Sequence, residues 1–444
     1  MKDLSVGKES TQILKFALPM LLGNVFQQLY NVVDSIIVGN FIGKEALAAV
    51  GASFPIIFTL ISLIIGIATG FTIIIAQYFG AKDIGKVKRT IDTLYIFLFF
   101  ASIIVSALGI FFAEEIFQLI KMPAETIPDA KIYLTIYMSG LVLFFGFNGT
   151  SAILRGLGDS KTPLYFMIFS TVANIILDLL FVIVFKLGIS GVAFATLISQ
   201  GAAFIGAIIY LNRTHEVINL SWRKLNFDKL IFKKGIHIGF PIGFQQMFVS
   251  LGMMVMFWLV NPFGTNATAA YSVAFRINSF VSLPAMNFAT ALSTFVSQNL
   301  GANKPERVKR GLLATLKMTA LFAISMSILS LIFRHQIMSL FTPDTEVIKI
   351  GVDFLYIVGW FYVIFSTMFV IGGVMRGAGD TFIPMIITFI SLWIVRVPLC
   401  YYLSQKFGIN GVWIGMPFAW FVGLVLSYLY YLSGRWKTKV VVKI

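Results

Sequence analysis

Asp34 and Asp178 are the two carboxylates that fall well inside apolar stretches of the chain, LYNVVDSIIVG and NIILDLLF. An ionised side chain at the centre of a membrane helix costs roughly 3 kcal/mol on insertion scales and is by default a candidate for function. Upstream of Asp34, the residues Asn24, Gln27 and Asn31 continue it at i, i+3, i+7 and i+10, which makes one polar stripe at 3.6 residues per turn. Asn174 and Asp178, four residues apart, share a face of another helix, and Thr196 lies in the helix after it. At a rise of about 1.5 Å per residue, Asp34 sits about 8 Å below the outer end of its helix, and Asp178 and Thr196 each sit about 12 Å from the turn joining theirs. Two carboxylates, an amide and a hydroxyl at one level are hard oxygen ligands for Na+, or two acids that can share a proton. The alternative is a satisfied hydrogen-bond network that only joins helices.

The rest of the chain must position these groups in a membrane. Of 444 residues 58% are hydrophobic and 12% charged, against about 25% charged in soluble domains. At roughly 20 apolar residues per crossing the length supplies on the order of twelve crossings with short loops. One cysteine, Cys400, excludes an intrachain disulfide framework. His215, His237 and His335 read as loop or helix-end residues, which argues against a His-based metal site or a His-assisted nucleophile. No G-x-x-x-x-G-K-[ST] sequence is present for ATP, and composition argues against most enzymes. The first apolar run, from near Phe16, is too long for a signal-peptide core and is expected to remain as a helix.

Breaks at Gly, Pro and charge clusters predict helices over 12–39, 48–76, 91–113, 129–154, 162–185 and 189–211, then 236–260, 271–297, 312–333, 348–373, 383–404 and 409–432. This alternation puts 23 Lys and Arg residues on one side and 7 on the other. Both termini are therefore expected in the cytoplasm, and the net charge of +15 reflects loop bias rather than a nucleic-acid partner.

The chain also repeats itself. QYFGAKDIGKVKR from Gln77 realigns with QNLGANKPERVKR from Gln298, LRGLGDSKTP from Leu154 with MRGAGDTFIP from Met375, KLGISGV from Lys186 with KFGINGV from Lys406, and Pro19 with Pro241. The offsets stay between 220 and 222. Two six-helix lobes of the same orientation are expected, 1–212 and 236–444, joined by a basic cytoplasmic linker over 213–235. Paired halves of this kind are common alternating-access machinery. The second lobe departs from the first, because Asp34 corresponds to Met256 and the polar stripe gives way to Gln245, Gln246, Met253, Met254 and Met256. Cation binding is thus expected in the N-lobe alone. Met-rich surfaces repack around varied shapes, which suits a permissive apolar site. Arg396 in WIVRVP and Arg276 remain as intramembrane cations; Arg396 is expected to pair with backbone carbonyls or face a water-filled vestibule, whereas Lys317 is near enough to an end to snorkel.

Pro19, LYNVVDSIIVG, QYFGAKD, RGLGDSKTP, NIILDLLF and WIVRVP together resemble the multidrug and toxic compound extrusion (MATE) family over essentially the whole chain. The resemblance implies an all-α membrane protein of twelve transmembrane helices, in two pseudo-symmetric six-helix lobes around a central cavity. It implies export of amphipathic, often cationic organic compounds in exchange for H+ or Na+, with no other cofactor. It makes Asp34, Asn174, Asp178 and Thr196 the cation site, with Na+ or H+ as occupant, and Pro19 the point where the first helix bends. Asn24, Gln27, Asn31, Asn148, Gln245, Gln246, Met253 and Met256 are the expected cavity residues. The clustering of acids in the N-lobe is similar to the DinF-type branch; the NorM-type pattern has an acid where Gln245 and Gln246 stand and another in the tenth helix, missing here. The expected setting is the plasma membrane, with one chain sufficient for activity. Two rivals remain: a lipid-linked precursor flippase of the same superfamily, and an intramembrane aspartyl protease suggested by GLGD at Gly156 to Asp159.

Overall fold

The computed structural model describes residues 2–119, 122–123, 125–214 and 225–442. Lys121, His215 and residues 215–224 of the expected linker lie outside the described residues. What is described contains helices and no strand. The first half comprises α1 (Glu9–Phe41), α2 (Lys44–Gly80), α3 (Ile84–Phe111), α4 (Ala113–Leu119), α5 (Ile127–Ser139), α6 (Leu141–Gly156), α7 (Lys161–Leu179) and α8 (Gly188–Thr214). The second comprises α9 (Lys229–Val260), α10 (Thr265–Gly301), α11 (Pro305–Ile332), α12 (Arg334–Ser339), α13 (Thr345–Gly359), α14 (Tyr362–Ala378), α15 (Phe382–Phe389), α16 (Val397–Phe407) and α17 (Ile409–Leu432). His237 therefore lies inside α9 and not in a loop.

Among the described residues nine helices are long and apolar enough to cross a membrane, and two bent pairs bring the number to eleven. The remaining expected span is α1, whose 33 residues measure about 50 Å. Its length is ample, but the amides and Asp34 along its middle dilute its apolar character. The expected spans 129–154 and 348–373 are each broken, α5 from α6 by 52° and α13 from α14 by 53°. Gly140 stands at the first break, and a glycine there weakens the helix. Large apolar side chains such as Phe111 (75% exposed) and Leu321 (68%) point outward, as a protein solvated by lipid requires.

The duplication extends to local geometry. α2 and α10 both have 37 residues, α3 and α11 both 28, and a π-helical turn follows α7 at Leu180–Val184 as another follows α15 at Ile390–Arg396. The RGxGD segments form the same turn twice, with Gly158 (φ 81°) and Gly379 (φ 94°) in left-handed conformations that side-chain-bearing residues rarely adopt. The preceding glycines let helices touch: a Cβ at Gly156 would stand 3.0 Å from the Thr72 carbonyl oxygen, and one at Gly377 only 2.4 Å from that of Ser293. Asp159 then caps α7, accepting from the Lys161 and Thr162 amides at 3.0 Å each.

Two compact units result. Unit 1 is Met1–Lys2 with Leu18–Gly243, and unit 2 is Asp3–Ala17 with Phe244–Ile444. The divisions fall within α1 and α9, beside Pro19 and Pro241, whereas the sequence reading placed the boundary at 213–235. Packing explains the difference. In unit 1, Gly66 and Gly70 of α2 meet Gly243 and Gly239 of α9, where an added Cβ would approach backbone to 2.3–2.6 Å, so the first half of α9 belongs with α2. In unit 2 the N-terminal segment is held by the end of α10 and the start of α11. Leu4 N donates to Gln298 Oε1 (2.8 Å), Arg307 Nη2 to the Gly7 carbonyl (2.8 Å), and Arg307 pairs with Glu9 at 3.1 Å. The unit 2 interior is aromatic: Trp413 stacks on Tyr271 at 5.6 Å and meets Phe354 edge-on at 5.1 Å.

Candidate functional site

Within unit 1, Asp34 on α1, Asn174 and Asp178 on α7, and Thr196 on α8 come together, with exposures of 7%, 1%, 0% and 6%. The two carboxyl groups lie within hydrogen-bonding reach of each other. One oxygen of each, Oδ1, is buried with no hydrogen-bond partner. Of the two orientations of the Asn174 amide, one leaves its oxygen facing only acceptors and a 3.5 Å contact from Nδ2 to Thr196 Oγ1. The other pairs both ends and is preferred: Nδ2 donates to Asp178 Oδ2 at 3.0 Å and Oδ1 accepts from the Thr196 amide at 3.3 Å. Tyr30, one turn before Asp34, shares a 2.9 Å hydrogen bond with Thr196 Oγ1. Asp178 is the penultimate residue of α7, just before the π-helical turn, an irregularity frequent at functional sites.

Three tyrosines were not anticipated from the sequence. Tyr133 of α5 is near enough to feel both carboxyls, and Tyr30 to feel Tyr133 and Tyr137. Tyr30 carried a signal, its i−4 spacing from Asp34; Tyr133 and Tyr137 carried none, since only the fold brings α5 to this face. Bare carboxylates in contact away from water are costly, and a shared proton or cation relieves that cost.

The other expected residues are scattered. Asn24 and Asn31 are half-buried on α1, but Gln27 is exposed. Asn148 donates to the Phe144 carbonyl of its own helix (2.9 Å), which turns its amide away from a cavity role. Gln245 is engaged with α15 through Thr388 Oγ1 at 2.6 Å, and Gln246 is half-buried. Met253 is 37% exposed, whereas Met256, expected to line the cavity, is 1% exposed and packs into the unit 2 core. A thioether at that point gains more from the aromatic interior beside Phe257 than from an open face. Pro19 is buried within an uninterrupted α1.

The MatE family model matches residues 19–180 and, displaced by the repeat, 241–402. The chain belongs to the multidrug and toxic compound extrusion family. Its relatives include the Bacillus subtilis proteins described as "Probable multidrug resistance protein YoeA", 35% identical over 97% of this chain and 94% of that one, and "Probable multidrug resistance protein YpnP", 33% identical over 98% and 97%. Crystal structures of MATE in the bent and the straight conformation both superpose with TM-scores of 0.91, at 24% and 23% identity and 98% coverage of each chain. The chain thus has the MATE fold and is a multi-pass membrane protein of a transporter family, not an enzyme. The GLGD segment that suggested a protease is the capping turn of a MATE lobe, with Asp159 occupied by α7 amides and its repeat Asp380 by the Tyr430 hydroxyl at 2.5 Å.

Proposed function

We propose that this MATE protein is a secondary antiporter that exports amphipathic, chiefly cationic organic compounds, with Asp34, Asn174, Asp178 and Thr196 as its coupling site. The observation that carries this reading is the contact of two buried carboxyls within unit 1, each with an unpaired oxygen, in a position that no acid occupies in unit 2. That restriction of acids to one lobe supports placement in the DinF-type branch. A cation arriving from outside neutralises the pair, α1 bends near Pro19, and substrate leaves from a cavity edged by Asn24 and Asn31. The inward-facing state then releases the cation. Of the two coupling ions, H+ is favoured over Na+, because two carboxyls within hydrogen-bonding reach of each other can share a proton directly, whereas Na+ would need further oxygen ligands around it. The Lys and Arg bias of the loops supports cytoplasmic termini in a plasma membrane. One chain contains both lobes and the entire coupling site, which supports activity as a monomer.

One proton supplies about 1.4 kcal/mol per pH unit and about 2.3 kcal/mol per 100 mV, enough for one to two decades of accumulation without ATP. The test is efflux of ethidium from proteoliposomes under imposed H+ or Na+ gradients. Efflux driven by the H+ gradient and lost in Asp34→Asn is expected. Efflux driven by Na+ alone would reverse the choice of ion, and movement of lipid-linked sugar with no dye flux would replace the antiporter with the flippase.

A further inference from the structure

Two helices of unit 1 begin side by side with cations where a helix disfavours them. Neither α3 nor α9 has an acid in its first turn, yet within six residues α3 carries Lys86, Lys88 and Arg89, and α9 carries Lys229 and Lys233, all exposed. Positive charge near a helix N-terminus opposes the macrodipole, and an anion there relieves it. Asp228 joins the two starts. Its Oδ1 caps α9 by accepting from the Leu230 and Ile231 amides at 2.9 and 3.0 Å, its own amide donates to Thr93 Oγ1 at 3.0 Å, and Arg89 stands 3.9 Å from its Oδ2. Four residues further along each helix, Phe232 meets Phe97 at 5.7 Å. Arg89 of α3 therefore lies beside the first turn of α9.

The outer face of α9 is mixed in a particular order. Leu230, Lys233, His237 and Phe240 follow one another at i, i+3, i+7 and i+10, and all four are exposed. Leu230, on the loop side of Lys233, is 64% exposed, which water alone would not favour. Phe240, on the other side, begins the lipid-facing part of the stripe. Lys233 and His237 are about 6 Å apart along the axis, comparable to the roughly 5–7 Å depth of one headgroup layer.

Unit 2 answers the matching cations internally. Arg307 and Arg310, which correspond to Lys86 and Arg89 at an offset of 221, both reach Glu9, at 3.1 and 3.4 Å. Offsets of 221 and 222 carry Glu9 to Leu230 and Ile231, so unit 1 has no acid in that place. Asp228 does not replace it, because one of its oxygens is taken by the cap and the other is 3.9 Å from a single cation. Among the described residues Lys229 and Lys233 join none of the ion pairs. Cations without an internal acid, bordered by exposed apolar side chains, are complementary to a molecule that is itself an anion at one end and apolar at the other.

We infer that unit 1 binds an anionic phospholipid at the start of α9, with its phosphodiester met by Lys229, Lys233 and Arg89 and its acyl chains along Phe240. The site lies at the end of the helices where Lys and Arg concentrate, it is separate from the coupling carboxyls, and it can be measured with no transport.

The test is native mass spectrometry of the full chain, delipidated in an uncharged detergent and titrated with dioctanoylphosphatidylglycerol or dioctanoylphosphatidylcholine. Wild type is expected to retain one molecule of the anionic lipid saturably and to retain the zwitterionic lipid far more weakly. Lys233→Gln and Arg89→Gln should each weaken retention of the anionic lipid about fivefold, and the double variant by more than tenfold. Arg310→Gln in unit 2 should leave it unchanged, since Glu9 already answers that cation. The side chains of Arg89 and Arg310 are 60% and 64% exposed, and thermal melts without lipid check that each variant is folded. Equal retention of the two lipids, undiminished retention in the folded double variant, or an equal loss in Arg310→Gln would overturn the site. Displacement of the lipid by an equal concentration of glycerol phosphate would overturn the lipid as occupant and put a free phosphate in its place.

Discussion

The two lobes of this MATE protein share a backbone and differ in their interior chemistry. Each has a first helix carrying a proline, a break of 52° or 53° between its middle helices, an RGxGD turn and a π-helical turn. Yet unit 1 places two carboxyls, an amide and phenols near its π-helical turn, and unit 2 places Arg396, a thiol and stacked aromatics near its own. Duplication kept the close helix contacts and turn conformations, which are set by glycine, and left the facing side chains free to diverge. The proposed antiport draws on that divergence, because it confines the acids of the ion site to one lobe.

The comparison can be broken most severely at the carboxyl pair. Asp34→Asn is expected to reduce gradient-driven ethidium efflux to the background of empty liposomes, whereas Met256→Asn at the matching position of unit 2 should act mainly through stability and leave coupling intact in the folded fraction. Flux assays normalised to folded protein would distinguish the two. Next come the repeated glycines. Gly377→Ala should lower the unfolding midpoint more than Gly156→Ala, because its Cβ would meet backbone at 2.4 Å and that of Gly156 at 3.0 Å. Overpacking of this sort costs about 1–3 kcal/mol, and thermal melts in detergent read the difference. A smaller effect is expected from Tyr30→Phe, which removes the hydrogen bond to Thr196. A neutral hydrogen bond is worth about 0.5–1.5 kcal/mol, so the apparent affinity for the driving ion should fall by a few-fold to about tenfold, as measured by flux against ion concentration. The smallest contrast lies at the starts of α1 and α9. Glu9→Gln, at a carboxylate held by Arg307 and Arg310 with only 15% of its side chain exposed, should destabilise more than Asp228→Ala destabilises through its exposed Arg89 pair at 3.9 Å. The latter also loses the cap of α9, so Asp228→Asn is the better control for charge.

Much of this was legible in the sequence because membrane segments announce themselves. Apolar length, the offsets of 220 to 222 and the buried acids each have a direct physical cause that needs no tertiary information. Asp34, Asn174, Asp178 and Thr196 could be brought to one depth by counting residues, since helices have a fixed rise. Tyr133 could not, because the direction in which α5 faces depends on the bend at Gly140 and on packing with α2 and α8. Met256 was misplaced because repeat alignment transfers position along a helix but not its surroundings, and unit 2 filled that place with aromatic core. The compact units divide elsewhere than the sequence lobes for a related reason: a basic loop marks where the chain leaves the membrane, whereas the glycine contact between α2 and α9 joins the first half of α9 to unit 1.

The central claim is that the unit 1 carboxyls exchange a proton for substrate. It is tested most directly by adding ethidium to the purified protein in weakly buffered detergent solution and recording proton release with a pH-sensitive dye. The account requires release in wild type and its loss in both Asp34→Asn and Asp178→Asn when ethidium still binds. Undiminished release in both variants, or ethidium binding to wild type with no release, would contradict it.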